Sequence, residues 1–259
     1  MYVPGTVILM SIEILPVQGL PLIHKGDDLP RLIAEKIAFQ DGDILSIASS
    51  VYSKSKGYTR HLADIRPTNR AKRIGEMTGE DPRFLQAVLD ASQEILLEYP
   101  FILSEVCGGH IGVRAGVDQS NIEDEMVILL PTDPMKSADE IRSSLKQITG
   151  KDIRIIITDT CGRAFRRGQT GNAIGWSGMN AIRDFRGDTD LFGHTLKITE
   201  EAVVDELAGI ANFVMGESNN CVPAVVLRGC GSWTGHNNLF FRKDEDILRK
   251  LLEKELPPE

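Results

Sequence analysis

The sequence predicts a mixed α+β fold, one catalytic unit spanning residues 1–259, and three observations lead there. Six short apolar runs read as strands. Amphipathic helical patterns with recognisable caps lie between several of them. The two kinds alternate irregularly, with no repeat, low-complexity tract or long linker, so a strict βαβ series is not expected. A chain of 259 residues can form one large domain or two small ones, which leaves room for two subdomains.

TVILMSIEIL (6–15) is the first run. It carries Glu13, stops at Pro16 and has no positive flank, so it reads as a buried strand rather than a targeting segment. DILSIAS (43–49) is the second, and SSVYSKSKG behind it reads as a polar turn. DPRFLQAVLDASQEIL (81–96) predicts a helix capped by Asp81, with Pro82 in its first position and Phe84, Leu85, Val88 and Leu89 on one face. FILSEV (101–106) and MVILLP (126–131) are strand-like. SADEIRSSLKQITG (137–150) has Ser137 and Glu140 in capping-box spacing and Gly150 as its stop.

DIRIIIT (152–158) is the fifth strand. Thr199 is placed to cap the helix TEEAVVDELAGIANFVMG (199–216), whose first-turn acids suit the helix dipole. PAVVLR (223–228) is the last strand, and KDEDILRKLLEKEL (243–256) predicts an amphipathic surface helix. Glycine-rich loops are expected at 107–116, 160–178 and 229–235, behind strands, where sites gather in α/β architectures.

With 42% apolar and 25% charged residues the chain can build a core, and its net charge of -8 disfavours a nucleic-acid surface. A membrane helix needs roughly 20 apolar residues, and no run supplies them. Cys107, Cys161, Cys221 and Cys230 are scattered without CxxC spacing, which argues against structural zinc and a disulfide framework; reduced thiols and a cytoplasmic location are expected.

The chemistry gathers around two acids. Asp118 sits alone in GVRAGVDQSN and Asp159 in IIITDTCGR, both just beyond strand-like runs. Brought within about 4 Å, two carboxylates repel by roughly 4 kcal/mol at an effective dielectric near 20. A shared proton, an Arg or Lys, or a divalent cation must remove that cost. Oxygen ligands favour Mg²⁺ or Mn²⁺, and Thr160 adds a hydroxyl beside Asp159. The alternative is that each Asp merely caps its own turn.

Arg163, Arg166 and Arg167 follow among glycines, a pattern that suits phosphate or carboxylate ligands, or else a solvated surface or inter-subunit ion pairs. Ser49, Ser50 and Lys54 offer a weaker phosphate grip, since GxxxxGK[ST] is absent. RGCGSWTG has the wrong spacing for a dinucleotide loop. His110, His194 and His236 pair with no nucleophile, so a hydrolase triad lacks support. The residues alone point to a metal-assisted site for phosphate chemistry.

ILPVQGLP with GDDL, DGDILSIASSVYSKSKG, AGVDQSN, LLPTDP, ITDTCGRAFRRGQTGNAIG, GDTDLFGHTLKIT and VVDELAGIANFVMGES occur in that order. Together they resemble the coenzyme F420-0:γ-glutamyl ligase family over nearly the whole chain, and DPRFLQAVLDASQEILLEYPF resembles its archaeal members. The resemblance implies a GTP-dependent amide ligase of coenzyme F420 biosynthesis. It would add L-glutamate to coenzyme F420-0 through an acyl phosphate, then a second glutamate to F420-1 by a γ-linkage. It also implies an intertwined homodimer, two divalent cations and K⁺ as activator. Carried over by motif, Asp118, Asp159, Thr160 and Glu217 would hold the metals.

The GTP site would comprise Leu20, Pro21, Leu22, Ile23, Ser49, Ser50, Lys54 and Asn121. Met215, Gly216, Glu217, Ser218, Asn219, Asn220, Cys221 and Val222 would complete it. Read without the resemblance, MGESNN is a solvated turn after a helix, and Asn121 is turn polarity. Arg114 stands where the family usually has Asn. A non-catalytic nucleotide or deazaflavin carrier is the competing reading; the absence of GxGxxG argues against a nicotinamide oxidoreductase.

Overall fold

Apolar runs buried on both faces build the central sheet. The computed structural model describes residues 11–106 and 108–255, so positions 6–10 of the first predicted strand and Cys107 lie outside the described residues. In chain order the first elements are β1 (Glu13–Pro16), α1 (Leu29–Ala34), β2 (Ile44–Ala48), α2 (Ser49–Lys56), β3 (Thr59–His61), α3 (Asn69–Thr78) and α4 (Pro82–Ala91). Then come β4 (Glu94–Leu97), β5 (Leu103–Glu105), β6 (Ile111–Val113), β7 (Met126–Ile128), α5 (Pro134–Thr149), β8 (Arg154–Arg163) and β9 (Arg166–Ser177). The last are β10 (Ile182–Asp184), β11 (Glu200–Glu201), α6 (Val203–Met215), β12 (Ala224–Arg228), β13 (Gly235–His236) and α7 (Ile247–Glu255).

The main sheet has the order β1–β12–β2–β8–β9, and its one parallel pair is β2 with β8. Successive side chains alternate between faces. Leu45, Ile47, Ile155, Ile157 and Val226 therefore pack under α1, α2 and α5, while Ile44, Ile156, Val225 and Leu227 pack under α6. Burial of both faces explains why these strands read as unbroken apolar runs. The excursion from β3 to β7 builds a further core, with Leu62, Ile74, Phe84, Leu85, Val88, Ile102 and Val127.

Several local expectations give way to tertiary pairing. SSVYSKSKG is helical as α2, not a turn, and ends at the left-handed Gly57. The helix over 81–96 keeps its Asp81 cap but ends at Ala91, because Glu94–Leu97 pairs with β5. Asp133, not Ser137, caps α5, and the Ser137 hydroxyl donates to the Asp133 carbonyl; Gly150 does end the helix. Thr199 caps nothing: Glu200 and Glu201 pair with β10, and α6 starts at Val203 with Asp205 and Glu206 in its first turn.

The stretch 160–178 is not a loop but most of a long β8–β9 hairpin. The C-terminal helix is not simply superficial either, since Arg249 is buried against Glu94 at 2.7 Å and Glu105 at 2.5 Å. Cys161, Cys221 and Cys230 are free thiols, and no described helix is long and apolar enough to cross a membrane.

Candidate active site

The parallel pairing of β2 with β8 ends at Ala48 beside Thr158, so the next residues, Ser49 and Asp159, come together at the carboxyl end of β2 while β8 runs on to Arg163. Open sheets bind ligands at that edge. The Ser49 hydroxyl donates to Asp159 Oδ1 at 2.9 Å. Burial raises the Asp159 carboxyl to about 6, opposed by the Ser49 hydroxyl and the Thr160 N–H. The negative charges of Asp118 and Glu217 push it up further, so each of them lies within electrostatic reach of Asp159. Among the described residues, none of the three has a Lys or Arg ion-pair partner.

Asp118 reaches this place through an isolated bridge to Ile128. Its Oδ1 accepts the N–H groups of Gln119 at 2.8 Å and Ser120 at 2.9 Å, and the Ser120 hydroxyl donates to Oδ2. It caps its turn and joins the acid cluster at once. The turn before it is strained: Arg114, Ala115 and Gly116 have φ of 55°, 53° and 65°. Each non-glycine residue held there costs roughly 1–2 kcal/mol. Arg114 is anchored by Glu80 at 2.9 Å and lies over the Phe84 ring at 5.8 Å. Arg114→Val, β-branched and unanchored, is expected to lose about 1–2 kcal/mol in chemical denaturation, whereas Arg114→Gly should lose less.

Glu217 follows α6. Its Oε1 accepts from Asn212 Nδ2 at 2.9 Å and from the Thr160 hydroxyl at 3.1 Å. Asn212 is a residue the motifs did not mark; an amide among apolar neighbours in IANFVM was its only sign. Asn121 donates to the Ser218 carbonyl at 3.4 Å and accepts from Lys54 Nζ through its own carbonyl. Burial lowers the Lys54 pKa, while Glu123 and Asp118 oppose that.

The loop from Met215 to Val222 ends where the Pro223 carbonyl accepts from Ala48 N–H at 2.9 Å, beside Ser49 and Ser50. Met215 is buried, whereas Glu217 to Cys221 are exposed. In 20–23, Ile23 is buried in the core that also holds Val51 and Tyr52 of α2, Leu20 packs against that core, and Pro21 and Leu22 are exposed. Direct contacts thus join Ser49 to Asp159, Thr160 to Glu217, and Lys54 to Asn121 and on to Ser218.

The arginines stand apart. Arg163 and Arg166 pair across the exposed hairpin tip around Phe165, with Arg167 beside them. Arg163 lies four residues beyond Asp159, about 13 Å away at roughly 3.3 Å per residue. None of the three forms an ion pair with a described residue.

Among the described residues, one group of three acid or histidine ligand atoms falls within 4.8 Å: Asp184, Glu200 and His236. Arg186 already supplies the cation there, at 2.6 Å from Asp184 and 3.2 Å from Glu200. His236 Nδ1 accepts from Asn238 N–H at 3.2 Å, which directs its Nε2 hydrogen to Glu200. This is a self-satisfied ion-pair knot.

The sequence model of the F420-0:Gamma-glutamyl ligase family matches residues 19–229. A coenzyme F420:L-glutamate ligase of Archaeoglobus fulgidus is 44% identical over 247 residues, covering 95% of this chain and 99% of the relative. Those of Methanosarcina mazei and Natronomonas pharaonis are 48% and 46% identical, each alignment covering 93% of this chain and 96% of the relative.

Proposed function

Because the chain belongs to the F420-0:gamma-glutamyl ligase family, we propose that it joins L-glutamate to coenzyme F420-0 at the expense of GTP, then adds a second glutamate through a γ-linkage. It is a ligase that forms amide bonds, and the names of its relatives place that bond in coenzyme F420 biosynthesis. One observation supports the nucleotide part: at the carboxyl edge of the parallel pair Asp159 feels the charges of Asp118 and Glu217, and none of the three has an ion-pair partner among the described residues.

Such a donor set fits two divalent cations, Mg²⁺ or Mn²⁺, held by Asp118, Asp159, Thr160 and Glu217. These acids are spread more widely than Asp184, Glu200 and His236, so cations there would be completed by phosphate oxygens of the nucleotide. When bound, the ions offset phosphate charge and align the γ-phosphate for in-line attack. The protein's own part is positioning. Ser49 and Ser50 begin α2, where free N–H groups and the helix dipole favour phosphate oxygens. Lys54 adds a cation, and Asn121 with the loop 215–222 cradles the nucleoside.

The substrate carboxylate attacks the γ-phosphate to give an acyl phosphate and GDP. The glutamate amine then attacks the acyl carbon, and phosphate leaves. Arg163, Arg166 and Arg167 hold substrate carboxylate or phosphodiester groups, in a homodimer that brings a hairpin tip to a site. The outward Phe165, Phe192 and Phe213, each more than 85% exposed, support a second copy as partner.

Incubation with GTP, Mn²⁺, L-glutamate and coenzyme F420-0 is expected to yield GDP and a product heavier by one or two glutamyl units in mass spectrometry. Binding of nucleotide without either product would mean a non-catalytic carrier. Neutralising the three arginines one at a time is expected to raise the KM for the coenzyme about tenfold in at least one variant, a charge-assisted contact being worth roughly 1.5–3 kcal/mol. Unchanged KM and kcat in all three would remove them from the site.

A further inference from the structure

A cavity of about 450 Å³ opens beside the acid cluster, between the His110–Ile111 segment, the start of α6, β9 and residues 239–249. That volume lies within the usual range for small-molecule sites, roughly 300–1,000 Å³. Asn172 lines it and is the register partner of Asp159 across the β8–β9 ladder, with Cα atoms about 5 Å apart. Asn172 Nδ2 contacts Cys161 Sγ at 2.8 Å. The Cys161 thiol is raised to about 11, first by burial and then by the charges of Asp159 and Asp205. The cavity thus reaches the strand that pairs with β8 at Asp159, through Asn172.

Two groups on its wall lack the partners their chemistry calls for. The His110 side chain is only 5% exposed, yet among the described residues its ring makes no hydrogen bond. Burial keeps that ring neutral, near 4. Asp205 accepts only the Ala173 N–H, at 2.8 Å, and pairs with no described cation. A half-buried carboxylate without a counter-charge and a neutral imidazole beside one cavity together fit an ammonium group. Across the cavity, Arg242 is held by exposed Asp244 and Glu245, and Lys243 shares Glu94 and Glu105 with Arg249; their side chains are 71% and 63% exposed, so they can turn to an incoming anion. Arg249 cannot, since Glu94 and Glu105 hold it. Phe240 closes the wall, its ring 6.3 Å from His110 and 6.2 Å from Trp176.

We propose that this cavity binds the amino-acid substrate, its ammonium on Asp205 and His110 and its carboxylates toward Arg242 and Lys243. The assignment rests on the ligase reading above. It places the substrate nitrogen beside β9, the strand that pairs with β8 at Asp159, with Asp205 as acceptor of the proton the ammonium must lose before it attacks.

Equilibrium dialysis of labelled L-glutamate against the whole protein, with GTP analogue and Mn²⁺, is the direct test. Wild type is expected to retain glutamate, and Asp205→Asn and His110→Gln to lose at least about tenfold in affinity. In turnover the same variants should raise the KM for glutamate at least about tenfold, while hydroxylamine trapping of the activated coenzyme stays within about twofold. Arg242→Gln with Lys243→Gln, both exposed, should raise the glutamate KM likewise and covers the case in which a core variant misfolds. Unchanged glutamate affinity in well-folded Asp205→Asn, or in the double surface variant, overturns the proposal. Wild type that binds glutamate but forms neither GDP nor hydroxamate refutes the ligase reading and leaves the amino-acid site standing.

Discussion

Asp159→Asn is expected to lower glutamate transfer at least about a hundredfold while making the cation-free protein more stable at pH 8. The rate loss follows if Asp159 holds a cation as proposed, since even supporting partners are worth 10–100-fold in metal affinity. Asn keeps the shape and can still accept from Ser49, so the fold should tolerate it. The stability gain follows from the raised carboxyl. Its ordinary value is 3.8 and its folded value about 6, so the folded chain holds this proton more tightly than the unfolded chain.

The resulting contribution is fully present below 3.8 and is lost as pH rises through about 6. Above that, ionisation costs the fold on the order of 3 kcal/mol. Asn never ionises and escapes this cost. Thermal melts without divalent cations should show wild type losing stability between pH 4 and 8 through this group, a slope the variant lacks. Mn²⁺ should restore wild type at pH 8 and leave the variant unmoved. A variant within tenfold of wild-type turnover would remove Asp159 from the metal site.

Gly171→Ala is the second large effect, and it acts from outside the acid cluster. Gly171 pairs with Thr160 in the hairpin and faces α6. A Cβ there would lie 2.5 Å from Asn212 Cβ and 2.7 Å from the Ala208 carbonyl oxygen. The second neighbour is helix backbone, which cannot swing aside, so hairpin and helix must separate. Overpacking of this kind costs roughly 1–3 kcal/mol, several degrees of melting temperature in a chain of this size. Asn212 is also the residue that holds Glu217, so the displacement carries into the site. The Mn²⁺ concentration for half-maximal activity is expected to rise about tenfold, with the KM for the coenzyme little changed. Gly162→Ala, which meets nothing within 4 Å, is the stability control and should stay within about 0.5 kcal/mol. Equal melting temperatures for the two variants would contradict the close approach of α6.

The differences between the residues' local signals and the structure have a common cause. DILSIAS, DIRIIIT and PAVVLR read correctly as strands because burial on both faces leaves an unbroken apolar run. Asp81 and Gly150 read correctly because a cap is a local hydrogen bond or a local φ. SSVYSKSKG read wrongly because its helix is stabilised by packing along β2 and β8, not by its own polar sequence. Thr199 looked like a cap, yet pairing of Glu200 and Glu201 with β10 delayed the helix. The glycines and arginines of 160–178 looked like a loop, and cross-strand pairing made them a hairpin.

From its residues alone this chain declared its apolar strands, its local caps and the motifs that placed Asp118, Asp159, Thr160 and Glu217 in one family pattern, because each is written in a short contiguous stretch. Only the tertiary structure decided that Ser49 meets Asp159, that Asn212 and Thr160 hold Glu217, that the arginines sit at a distant tip, and that His110 and Asp205 share a cavity. Those contacts join segments dozens of residues apart, and their positions depend on the register of β2 against β8 and the packing of α6, which no local stretch encodes.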